Sequence, residues 1–246
     1  LETIGDLTRS LRELNRPQPI AYWSQGAGDG WEVYGGRKRT SPTPDELRAQ
    51  AYHALAQRIT SLYWFNLSLK SLLKFPDLIE PITLVDREIR LLEDFYLEGD
   101  AYHFERRTRD GKPDWDLAVI AGPRGAVIFA LDLAYAPDPQ EKVFRFGPPR
   151  DVRLTWPVPA YLDTAKALLR VDANAVTPVE YERKNRRISL QIHGGAVNVF
   201  VLSLALDGAK QLEVRRRELV AFEASLDFDP ASQPADFKTL RAILGT

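Results

Sequence analysis

Trp23, Gln25 and Trp31 fall within one short stretch and combine two kinds of contact chemistry. An indole stacks on the apolar face of a pyranose ring and a carboxamide bonds its hydroxyls, so the grouping fits a sugar subsite. Trp64 and Asn66 repeat the combination near the end of a second apolar run, Ser61 to Asn66. Strand alternation sends Tyr63 and Phe65 to one face and Trp64 and Asn66 to the other, and the sequence alone does not say which face is inward. Asp29 and Glu32 are the carboxylates nearest this group, in a loop where such residues are ordinarily solvated. The expected ligand contacts are therefore Trp23, Gln25, Asp29, Trp31, Glu32, Trp64 and Asn66.

Other chemistries find less support. Cysteine is absent, which excludes disulfides, thiolate metal sites and cysteine nucleophiles. His53, His103 and His193 are far apart and none forms a ligand spacing with another, so no metal and no cofactor is expected. Arg37-Lys38-Arg39 sits beside glycines but lacks the Gly-Lys-Ser/Thr end of a phosphate-binding loop. Asp86, Glu88, Glu93 and Asp94 read as the wet flank of a helix. The chain of 246 residues has a formal net charge of -1, with no basic excess or tail to recruit nucleic acid. No apolar stretch reaches membrane-spanning length and no signal peptide is visible, so the compartment stays open, secreted or cell-envelope included. Lacking methionine and beginning at Leu1, the sequence reads as processed, truncated or edited.

These side chains need elements to hold them. Ile4, Leu7, Leu11 and Leu14 form one stripe of an amphipathic helix, stopped by Pro17 and Pro19 ahead of a strand from Ile20 to Ser24. Thr43-Pro44-Asp45-Glu46 begins the next helix as a capping box with proline in the first turn. Leu47, Ala51, Leu55 and Ile59 are its expected buried face. A further helix is expected from Pro81, ending near Gly99. Beyond Arg107 the period changes to two. Strands are expected at 117–120, 126–133, 142–146, 152–156, 168–171, 187–192 and 197–204, separated by turn signals such as Asp110-Gly111 and Gly194-Gly195. After Asp207 the pattern is helical again, with Leu212, Leu219, Phe222 and Leu226 inward.

The strand from Pro19 with its aromatic pair and glutamine, then "PTPDELRAQAYHALAQ", then "ITSLYWFNLS", resembles the last two βα units of (β/α)8-barrel glycoside hydrolases. The stretch from Arg153 to Leu204 is similar to the C-terminal β-domain that trails such barrels, and the likeness spans roughly residues 1 to 205. It implies an α/β plus all-β fold: terminal βα units of a (β/α)8 barrel over 1–107, an antiparallel β-sandwich over 108–205 and a helical extension over 206–246. It implies a carbohydrate ligand, and an upstream part of the same polypeptide or another chain to complete the barrel. The catalyst is missing from that picture. Such enzymes use a carboxylate pair, one after strand four and one at the end of strand seven. Strand four is not in this sequence, and the strand corresponding to the seventh ends Tyr22-Trp23-Ser24-Gln25. The expected role is thus a portion of a glycoside hydrolase-like protein that supplies sugar contacts without the full pair. The alternative is a non-catalytic carbohydrate-binding or structural and interaction module.

Overall fold

Gly125 to Asp132 is buried at every position, and six consecutive residues of the preceding strand are buried as well. Runs of this kind form strands covered on both faces, and they set the architecture. The computed structural model describes residues 1–26, 41–65, 68–226, 238–240 and 242–243. The first third holds α1 (Glu2–Asn15), β1 (Ala21–Gln25), α2 (Pro44–Leu55), β2 (Ser61–Phe65), α3 (Leu69–Lys74) and α4 (Ile79–Glu98). The strands that follow are β3 (Asp100–Arg109), β4 (Lys112–Gly122), β5 (Gly125–Asp132), β6 (Tyr135–Asp138), β7 (Val143–Phe146) and β8 (Arg150–Pro157). Next come β9 (Ala167–Val171), β10 (Val176–Pro178), β11 (Glu182–Lys184), β12 (Arg187–Gly194), β13 (Val197–Ser203) and the helix α5 (Gly208–Ser225).

The main sheet is open, antiparallel and six-stranded, in the order β10-β9-β13-β5-β4-β3. One face carries Ala118, Ile120, Val127, Phe129, Val199 and Val201, packed against Tyr52 and Leu55 of α2 and Leu91, Leu92 and Tyr96 of α4. The other face carries Leu117, Val119, Ile128, Phe200 and Leu202. It packs against Leu154, Trp156, Ile188, Leu190 and Ile192 from a three-stranded sheet, β11-β12-β8. Strict alternation in β12 explains this second layer, because its aliphatic residues turn inward while Arg187, Gln191 and His193 stay exposed. Each fully buried large side chain contributes roughly 1.5–3 kcal/mol by leaving water. Two polar clasps fix the layers in register. Trp156 Nε1–H donates to the carbonyl of Phe129 at 3.0 Å. Arg150 donates to both oxygens of Asp132 at 2.6 Å and to Asp114 Oδ1 at 2.7 Å.

These observations overturn the barrel. Among the described strands only β1 and β2 run parallel, as an isolated pair, and the remaining sheets are antiparallel, with none closed. The helices read as barrel helices instead cover the antiparallel sheet. The expected succession of barrel units and a separate β-sandwich is therefore wrong, and no barrel exists for another chain to complete. A βαβ unit is locally the same in a barrel and beside any other sheet, which is why Pro19 to Asn66 misled. Local expectations fare better. Thr43 and Glu46 form the reciprocal capping box, and Glu46 Oε1 also accepts from the Phe144 amide at 2.8 Å. The α1 stripe is split: Ile4 packs against the main core, but Leu7, Leu11 and Leu14 are exposed, while Gly5 and Thr8 face the protein. A Cβ on Gly5 would stand 3.2 Å from the His53 carbonyl, so glycine permits the close approach of α1 to α2. Phe222 and Leu226, expected inward, are exposed. No described helix is long and apolar enough to cross a membrane.

Candidate functional site

The parallel register pairs Tyr22 with Leu62, Trp23 with Tyr63, Ser24 with Trp64 and Gln25 with Phe65. Partners in register share a face. Tyr22 and Leu62 pack into the main core beneath α2 and α4, and Trp64 packs beside Leu47 and Ile82 between those helices. Trp23 and Tyr63 therefore point the other way, 62% and 50% exposed. Their ring centroids lie 5.7 Å apart with planes tilted by 38°. Phe65 extends the face, its ring 5.9 Å from Trp23. The result is a tilted aromatic surface on a strand pair whose opposite face is anchored.

The anchor is polar as well as apolar. Trp64 Nε1–H donates to Asp86 Oδ1 on α4 at 3.0 Å. Gln50 of α2 donates through Nε2 to the Gln25 carbonyl at 2.6 Å, and the Gly26 amide donates to the Phe65 carbonyl at 3.0 Å. Behind them lies Glu88, with a carboxylate only 1% exposed. It accepts from Arg48 Nη1 at 2.7 Å, from the Ala173 amide at 2.9 Å and from the Tyr52 hydroxyl. Burial pushes the Tyr52 hydroxyl well above its ordinary pKa, and the neighbouring Glu88 charge adds to the shift. This cluster ties α2 and α4 to the turn between β9 and β10. Ser24 is fully buried, and its hydroxyl has no hydrogen-bond partner.

Of the expected contacts, the structure brings Trp23 and Gln25 onto one face and sends Trp64 to the opposite one, against the helices. Asp29, Trp31, Glu32 and Asn66 lie outside the described residues. Tyr63 joins this face although the expected contacts do not include it. Its signal was Leu62: an aliphatic residue that must face inward obliges its neighbour to face out. Glu88 was also missed, because a helix flank of carboxylates ordinarily stays solvated. Among the described residues no group of three or more His, Cys, Asp or Glu could hold a metal ion.

A groove of about 980 Å³ runs between α4 and α5 over Leu91, Phe95, Leu212 and Leu219. Two arginines on its rim are engaged: Arg215 with Glu93 and Asp94, and Arg124 with Asp94 and Glu98. The groove is thus an interhelical seam held by ion pairs. In comparisons with known proteins the chain matches no family model, no curated protein and no solved structure. The fold and the site define an open antiparallel α/β protein with an exposed aromatic strand face. The carbohydrate-active reading loses its basis along with the barrel.

Proposed function

We propose that the protein is a non-catalytic binding module that takes an extended, proline-rich peptide segment on the face formed by Trp23 and Tyr63, with Gln25 at its end. The observation that carries this reading is the exposure of two register-paired aromatic rings on parallel strands, which ordinarily have both faces covered. Tilted aromatic rings about one proline ring apart make shallow grooves that accept pyrrolidine rings. A polyproline II segment is preformed, so it loses little entropy on docking. Its unpaired carbonyls find donors in the Tyr63 hydroxyl and the Trp23 indole.

The test is a titration of intrinsic tryptophan fluorescence with a decaproline peptide and with a glycine-serine peptide of equal length. Decaproline alone is expected to bind, and Trp23→Ala and Tyr63→Ala are each expected to weaken it about five- to tenfold. Both variants should keep the parent melting temperature within a few degrees, because the truncated rings are exposed. Decaproline affinity unchanged in both variants, or absent from the parent, removes this face as the site.

A further inference from the structure

Two hairpins of this protein close through two-residue loops with positive φ at both positions, the mark of a type I′ turn. Between β3 and β4 the loop is Asp110-Gly111, with φ of 51° and 76°. Gly111 supplies the left-handed residue without steric penalty, and Arg109 of the flanking pair meets Asp114 at 3.3 Å. Between β11 and β12 the loop is Asn185-Arg186, with φ of 52° and 57°. Arginine here holds a conformation that its Cβ disfavours and that glycine would take freely. The flanking residues, Lys184 and Arg187, stand directly opposite each other across the strands. Like charges in that relation repel.

Lys184, Arg186 and Arg187 are all exposed, and no described carboxylate lies within ion-pair distance of them. Glu182 pairs with Arg153 at 2.5 Å, and Glu105 pairs with Arg107 at 3.1 Å and lies 3.6 Å from His103. The tip is also held still, because the Arg186 carbonyl accepts from the Val158 amide at 2.9 Å. A strained backbone, a repelling pair and three uncompensated cations on one anchored tip make a local conflict that the rest of the fold does not relieve.

We infer that the β11–β12 tip is a docking site for a short acidic segment of a partner protein. Patch size selects this partner. Away from the tip the outward arginine of the same sheet is matched, Arg153 with Glu182, and Asp151 and His193 share a hydrogen bond at 2.8 Å. The positive surface therefore spans one turn, enough for two or three carboxylates. A nucleic-acid backbone needs a stripe of cations along its path, and the chain as a whole has a net charge of -1. Two arginines supply the planar forks that grip carboxylates in pairs.

The experiment measures fluorescence anisotropy of a labelled octapeptide of Asp and Glu, with an octalysine peptide and an octathymidylate as parallel probes. Thermal melts are recorded for the same proteins. Arg186→Gly is expected to raise the melting temperature and to weaken the acidic peptide about fivefold. Lys184→Glu converts the repelling pair into an attracting one, so it should also stabilise while weakening the peptide at least about tenfold. Opposite movements of stability and affinity separate recognition from a structural role. Peptide affinity unchanged in both variants overturns the inference. So does octathymidylate binding as tightly as the acidic peptide, which would assign the tip to nucleic acid.

Discussion

His53 sits on the inner face of α2, 3% exposed, and its Nδ1 makes no hydrogen bond. Asp116 lies 3.8 Å away, too far for one, and that carboxylate is met instead by Arg106 at 2.7 and 2.9 Å. Burial lowers the imidazole pKa from 6.5 to about 3, so the ring is neutral near pH 7. An unfolded chain regains the ordinary value and binds the proton more readily. Between pH 6.5 and 3 the unfolded state therefore holds more protons at this site, and stability falls on acidification by up to about 1.4 kcal/mol per pH unit. Asp116, raised by burial against the opposing pull of Arg106, acts in the contrary sense as it protonates at the acid end. Urea melts at pH 7 and pH 5 should show this loss in the parent and a flatter dependence in His53→Leu. Equal slopes in the two proteins would place the acid sensitivity elsewhere.

At the scale of elements, Glu88 joins two helices to a turn. Glu88→Ala leaves Arg48, the Tyr52 hydroxyl and the Ala173 amide without their common acceptor. Breaking such a buried cluster from one side costs about 3 kcal/mol or more. Chemical denaturation should show that loss, while Glu93→Ala, on the wetter side of α4, should stay within about 0.5 kcal/mol of the parent. These two carboxylates also show where the sequence could be read and where it could not. Local signals were legible: the Thr43 capping box, the Asp110-Gly111 turn and the alternation of Ile188, Leu190 and Ile192 each arise from neighbours along the chain. β3 was not, because Asp100–Arg109 is polar almost throughout and is a strand by virtue of lying along β4 at the sheet edge. Glu88 could not be told from Glu93, since its burial depends on a turn 85 residues away. The exposed aromatic face was half legible. The strands and their aromatic residues were found, but which face looked outward awaited the helices beneath.

The whole molecule depends on holding a six-stranded sheet between helices and a smaller sheet, and Arg150 is the main polar link across the second interface. Its guanidinium spans Asp132 and Asp114 and stands 4.8 Å from the centre of the Trp115 ring. Arg150→Ala strands two largely buried carboxylates and is expected to cost about 3 kcal/mol in a denaturant melt. A double-mutant cycle with Asp132→Ala should return a coupling above about 1 kcal/mol, and strict additivity would deny the link. The order of strands has a further consequence, one of timing. β13 lies between β5 and β9, pairing Val197 with Leu131 on one side and Phe200 with Arg170 on the other. During synthesis the centre of the sheet therefore stays empty until residue 203 has left the ribosome, while the β5 edge waits unpaired. Loops this long close late, and an unpaired apolar edge invites other chains in the meantime. The same strand that completes the sheet makes its nascent form vulnerable to aggregation.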